Sequence, residues 1–151
     1  MRVLGIDYGR KRVGLALSDA TGMLARPWKA IARTGGAAEV AAMLAREIER
    51  LASEDDGLGA VVIGMPRRLN GDPNEQTLAV RSVVERLRPL VAIPLATQDE
   101  RLTSREAESL LARREKDWRK RKPMLDATAA AVILQDYLDN RPEPHPQRED
   151  L

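Results

Sequence analysis

Apolar residues recur along this chain with two different periods, and the switches between those periods divide it into elements. Residues 2–8 (RVLGIDY) and 12–18 (RVGLALS) alternate or run apolar on either side of Gly9-Arg10-Lys11-Arg12, the pattern of a β-hairpin. A third stretch, 24–32, extends this into an antiparallel meander, and Pro27 within it predicts an edge strand, because proline cannot donate to a central ladder. After Gly35-Gly36 the spacing becomes helical: Val40, Met43, Leu44, Ile48 and Leu51 share one face of a helix over 38–52. AVVIGM at 60–65 reads as a buried strand stopped by Pro66. A helix over 75–90 follows, carrying Leu78, Val80, Val83, Val84 and Leu87, and Pro89 helps to end it. The next strand, 92–98, leads to Asp99 and Glu100. Thr103 and Glu106 have the spacing of a capping box that opens a helix over 104–115. The final helix is predicted over 126–138 with Asp126 as its N-cap, preceded by a mobile basic loop at 116–124.

This order describes an α/β fold with a mixed sheet, three antiparallel strands followed by parallel additions. Residues 1–140 form one domain, with no Gly/Ser linker and no internal repeat, while 141–151, with three prolines in RPEPHP, read as a disordered tail. A chain of 151 residues is long enough to bury a sizeable core. It has no apolar run of membrane-spanning length, and strand pattern begins at once with no secretory leader. The absence of cysteine excludes disulfides and thiolate metal sites, so a cytoplasmic setting is expected.

Charge is nearly balanced, with 25 Lys and Arg against 23 Asp and Glu, but its distribution is uneven. Nine basic residues fall between Arg101 and Lys122 against four acidic ones. The basic set comprises Arg101, Arg105, Arg113, Arg114, Lys116, Arg119, Lys120, Arg121 and Lys122. Smaller clusters, Arg10-Lys11-Arg12 and Arg67-Arg68, occupy predicted turns. A single cluster of this kind is as often a solvated helix face as a binding surface. Three of them, each near a carboxylate at the polar end of an apolar element, favour a phosphate-bearing ligand and a nucleic-acid partner. The four aromatic residues are too few for a base-stacking platform, which leaves recognition of shape and backbone. His145, the lone histidine, lies in the proline-rich tail, so proton transfer falls to carboxylates or water.

The candidate chemistry rests on Asp7, Glu100 and Asp126. Separate carboxylates that converge make an oxygen-rich site suited to hard cations such as Mg²⁺ or Mn²⁺. In phosphodiester hydrolysis two such ions about 3.5–4 Å apart can hold the nucleophile, the phosphate and the leaving oxygen. Asp7 follows Val3-Leu4-Gly5-Ile6 where a central strand would emerge, and Gly9 beside it leaves room for a phosphate. Taken singly, each acid also has a structural explanation. Asp7 suits a strand end, Asp99 and Glu100 a surface turn paired with Arg101, and Asp126 a helix cap. Strand alternation lets only one of Asp99 and Glu100 point into a site.

Four segments occur together and in order: IDYGRKRVGLALSD, IGMPRRLNGDPNEQT, DERLTSREAE and LDATAAAVIL. As a set they resemble the YqgF/RuvX family of RNase H-like nucleases over residues 2–138. The resemblance implies a five-stranded mixed sheet flanked by helices, with Asp7, Glu100 and Asp126 at the family's acidic positions. It also implies a nuclease acting at the 5′ end of pre-16S rRNA or, for some members, a Holliday junction resolvase. Gln98 stands where family members often carry Trp. Ala129 and Ala130 stand where related resolvases carry a further acid one turn beyond the first. Gly64 to Gly71 matches the family's GxPxxxxG segment, and as a loop it would project Arg67, Arg68 and Asn70 toward phosphate or bases, although Asn70-Gly71 equally suits a tight turn. A homodimer is compatible with this sequence. Two rival classes remain. One is a noncatalytic nucleic-acid-binding assembly factor of the same fold. The other is an ATPase of the actin or hexokinase kind, which Asp7-x-Gly9 also resembles but which needs two such domains.

Overall fold

A computed structural model describes residues 1–66, 70–99, 109, 112–113 and 118–141. The chain runs β1 (Arg2–Tyr8), β2 (Arg12–Ser18), β3 (Ala25–Ala32), α1 (Ala37–Ser53), β4 (Leu58–Met65), α2 (Glu75–Leu87), a short 3₁₀ turn (Arg88–Leu90), β5 (Leu95–Asp99) and α3 (Trp118–Asn140). The strands form one five-stranded sheet in the order β3-β2-β1-β4-β5. β1 pairs antiparallel with β2, and β2 with β3. β4 lies parallel to β1, and β5 parallel to β4. The predicted mixed sheet is therefore present, and Pro27 does lie on an edge strand. No helix among the described residues is long and apolar enough to cross a membrane.

β1 is the middle strand and is buried on both faces, which is why its sequence runs apolar instead of alternating. Leu4, Ile6 and Tyr8 point to one face, where Leu15, Leu44, Ile48, Ile63, Val80, Val83 and Leu87 complete a core of large side chains under α1 and α2. Val3 points to the other, where Ala16, Val62, Ala130, Ala131, Leu134 and Leu138 make a thinner layer under α3. α2 is capped at Asn74, whose Oδ1 accepts from Thr77 N at 2.9 Å, while the buried Thr77 hydroxyl donates to the Pro66 carbonyl. That bond fastens the start of α2 to the end of β4.

Three expectations need correction. α3 begins at Trp118, not Asp126, so Asp126 lies inside the helix instead of capping it, and 118–124 is helical instead of a loop. Arg and Lys are good helix formers, yet a stretch made almost wholly of them carries no apolar period to read. Pro123 forfeits one backbone bond without ending the helix, because the residues beyond it are held by burial against the sheet. Leu78, expected on the buried face of α2, is 61% exposed, and the buried Thr77 takes the inward position. β5 begins at Leu95 instead of 92, since Arg88–Leu90 forms the 3₁₀ turn and Pro94 precedes the ladder. Of the helix expected over 104–115, Ser109, Ala112 and Arg113 are helical, and the rest, with the Thr103 and Glu106 cap, lies outside the described residues.

Thr128 on α3 is buried, and its hydroxyl has no hydrogen-bond partner among the described residues. A buried unpaired polar atom is destabilising, and valine has the same shape without it. Thr128→Val is expected to raise stability by about 1 kcal/mol, read as a higher urea midpoint at unchanged m-value.

Candidate metal and phosphate site

The parallel strands β1, β4 and β5 all end at one edge of the sheet, and of the candidate acids Asp7 and Asp126 are described there. Ile6 on β1 is in register with Ile63 on β4, and Ile63 with Thr97 on β5. Asp7 follows Ile6 on the central strand, and Gln98 and Asp99 follow Thr97 on the outer one. Alternation along β1 places Asp7 on the face of Val3 and Gly5, the face that α3 covers. Asp7 is half-buried there, in register with Gly14 of β2.

Asp126 reaches the same place from α3 because glycines of β1 and β2 lie directly under the helix. A β carbon on Gly14 would lie 2.0 Å from the Asp126 carbonyl oxygen, and one on Gly5 would lie 2.7 Å from Leu134 Cβ. The helix therefore rests directly on the two strands, with Asp126 over the partner of Asp7. The Asp126 carboxylate is bonded to β2 as well: Arg12 Nε donates to its Oδ2 at 2.9 Å. Its Oδ1 lies 3.8 Å from the place a β carbon on Gly9 would fill, a place already crowded by the Arg12 carbonyl oxygen at 2.6 Å, so the hairpin turn meets this oxygen without a side chain between them.

The turn that follows Asp7 is held from three sides. Gly9 N donates to Arg12 O at 2.9 Å and closes the hairpin. Arg33, just beyond β3, stacks its guanidinium 4.3 Å from the centre of the Tyr8 ring and donates from Nη1 to Gly9 O at 3.1 Å. Its backbone N–H donates to Lys11 O at 2.9 Å. Gln76 on α2 donates to Tyr8 O at 2.6 Å. Sequence reasoning passed over Arg33 and Gln76, since each acts on a backbone far away in sequence and neither belongs to a periodic pattern. Gln98 on β5 likewise donates to Asp136 on α3, which ties the outer strand to the helix and shows that Gln98 faces the side of Asp7.

The remaining expected residues divide clearly. Arg10 and Lys11 are exposed at the hairpin turn beside the acids, and Arg12 is exposed but paired with Asp126. Asn70 is exposed, and its side chain is engaged locally: Nδ2 donates to Asp72 Oδ2 at 3.1 Å, and Oδ1 accepts from Asp72 N at 3.0 Å. Gly71 has a φ of 93°, so the tight turn expected there is present. Arg113 is exposed. Arg119, Lys120 and Lys122 lie in the first turns of α3, ahead of Asp126, with their side chains outside the description. Glu100, Arg67, Arg68, Arg101 and Arg114 lie outside the described residues. Among those described, no three His, Cys, Asp or Glu side chains form a metal-holding group. Ala129 and Ala130 are buried, so α3 supplies no second acid one turn beyond Asp126.

The donor set fits a hard divalent cation. Two carboxylates of distant origin share one half-exposed edge, and the described residues contain no cysteine or histidine. Fold comparison defines the class: T. thermophilus RuvC in complex with Holliday junction substrate matches with a TM-score of 0.52 at 18% identity, over 92% of this chain and 95% of that one. The sheet order and flanking helices are those of an RNase H-like fold. Within that class, residues 1–140 match the family model described as RuvX: Holliday junction resolvase, and the chain belongs to that family. It is 36% identical over 143 residues to a protein of Roseiflexus sp. (strain RS-1) named "Putative pre-16S rRNA nuclease", covering 93% of this chain and 95% of that one. A protein of the same name from Moorella thermoacetica is 38% identical over 139 residues, covering 92% and 95%.

Two outcomes follow from this geometry. Gly14→Ala places a methyl group against backbone that cannot rotate away, so it should cost about 3 kcal/mol in chemical denaturation. Gln76→Leu, by contrast, leaves the buried core intact and frees only the Tyr8 carbonyl, so it should destabilise by about 1 kcal/mol. Hydrogen exchange of the Gly9 and Arg12 amides should quicken in Gln76→Leu while that of the β1 core stays slow.

Proposed function

We propose that this protein is a metal-dependent nuclease that hydrolyses phosphodiester bonds, acting in 5′-end processing of pre-16S rRNA in the cytoplasm. The observation that carries this reading is the convergence of Asp7 and Asp126 on one edge of the sheet, brought about by the contact of α3 with Gly14. Glu100 is the third acid. Gln98 faces α3, and alternation in the strand pattern therefore favours Glu100 over Asp99. The names of the relatives from Roseiflexus and Moorella favour pre-16S rRNA as substrate.

In this reading Asp7, Glu100 and Asp126 hold Mg²⁺ or Mn²⁺, which would lower the pKa of an attacking water and neutralise charge on the phosphate. The protein's own part is orientation and charge. Asp7 lies at the end of the central strand, so its backbone position is set before substrate arrives. Gly9 lets the hairpin close on the Arg12 carbonyl oxygen, which a β carbon there would meet at 2.6 Å. Arg10, Lys11 and Arg12 at the hairpin, Arg67 and Arg68 ahead of Asn70 in sequence, and Arg101, Arg113, Arg114, Arg119, Lys120 and Lys122 follow the nucleic-acid backbone. Salt should weaken binding accordingly.

The family description favours a second substrate, a four-way DNA junction. Both are tested together, by incubating the chain with end-labelled pre-16S rRNA leader or a synthetic junction, in Mg²⁺, Mn²⁺ or EDTA. Cleavage of the rRNA leader should require the metal and fall by on the order of a hundredfold or more in Asp7→Asn. Preference for the junction would transfer the activity to recombination. Equal cleavage in EDTA, or full activity in Asp7→Asn, would sink the metal-nuclease reading. Binding without cleavage under every condition would leave an assembly factor.

A further inference from the structure

The two oxygens of Asp126 face different surroundings. Oδ1 lies toward the Gly9 backbone, 3.8 Å from the place a β carbon there would take, whereas Oδ2 accepts from Arg12 Nε. Arg12 makes this bond through Nε, and among the described residues neither of its terminal nitrogens, Nη1 and Nη2, is bonded. Its side chain is 45% exposed, against 28% for Asp126, so the pair sits at the mouth of the site with the guanidinium on the outer side. A guanidinium held at Nε keeps its plane and direction, and its Nη groups form the fork that matches two phosphate oxygens. An exposed ion pair of this kind adds little to stability, so holding the helix to the hairpin is a weak reason for its existence.

We propose that Arg12 is the residue that grips the phosphodiester next to the cleavage position, and that Asp126 orients it. On this view one carboxylate serves two ligands: Oδ1 faces the cation, and Oδ2 aims the Arg12 fork at the substrate. The proposal rests on the nuclease reading above and adds to it a division of labour within Asp126. It distinguishes Arg12 from Arg10 and Lys11, which are exposed beside it and contribute charge alone.

The test is fluorescence anisotropy of a labelled RNA hairpin in EDTA, where neither metal nor cleavage enters. Arg12→Lys retains the charge and loses the fork, and binding should weaken roughly tenfold. Asp126→Ala removes a negative charge, which by electrostatics alone would tighten binding to a polyanion. The proposal requires the reverse, a severalfold loss, because Arg12 is no longer aimed. Asp126→Asn keeps an acceptor for Nε and should bind at least as well as wild type. Adding Arg12→Lys to Asp126→Ala should cost little more, since both disable the same grip. Thermal melts establish that each variant is folded, and Arg12→Lys, altered only at an exposed side chain, carries the test if Asp126→Ala is not. Wild-type affinity in Arg12→Lys, or affinity at or above wild type in folded Asp126→Ala, overturns the proposal while leaving the nuclease reading standing. Failure of the wild-type protein itself to bind the hairpin would overturn this proposal, while metal-dependent cleavage of the leader decides the nuclease reading separately.

Discussion

The contact between α3 and the glycines of the two central strands is the constraint from which the rest of the site follows. With Gly14 under the Asp126 carbonyl and Gly5 under Leu134, the helix lies closer to the sheet than any side chain between them would allow. Ala127, Ala130 and Ala131 keep the helix side equally thin. Close packing of backbone against backbone has little freedom to adjust, since no rotamer can take up a misfit. The depth and position of α3 are thereby set, and Asp126 is placed over the residue that pairs with Asp7.

The two faces of the sheet do different work. Leu, Ile and Val under α1 and α2 form the broad apolar layer that supplies most of the buried area, at roughly 25 cal/mol per Å² removed from water. The face under α3 buries smaller side chains and contributes less. It provides position instead of bulk. The acids belong to this second face, where a helix can come near enough for a carboxylate on it to share space with one on a strand.

Electrostatics explain why the acids can stay together before any ligand arrives. Carboxylates on neighbouring elements repel, and Arg12 offsets this by pairing with Asp126. The hairpin that carries Arg12 is itself held by Arg33 and Gln76, one from beyond the edge strand and one from α2. Elements on both sides of the sheet therefore act on the same turn. The site also lies at the carboxyl ends of the parallel strands, where α/β sheets generally place their ligands.

Much of this architecture was legible from residue patterns. The hairpin, the edge position of Pro27, α1 and the buried strand β4 all follow from local periodicity, which reports which side of an element meets the core. Asp7 at the end of a central strand was legible for the same reason. The start of α3 was not, because a run of Arg and Lys has no apolar period, and Pro123 resembles a boundary until burial downstream is known. The salt bridge from Arg12 to Asp126 and the bracing by Arg33 and Gln76 join residues separated by between 24 and 114 positions. Sequence by itself determined the elements, their order and a set of acids that four ordered motifs brought together. Only the tertiary structure decided that Asp126 sits within a helix and not at its cap, which of its oxygens meets Arg12, and that Gly14 is the ground it stands on. Those are matters of distance between backbones, and one-dimensional patterns of polarity carry no measure of it.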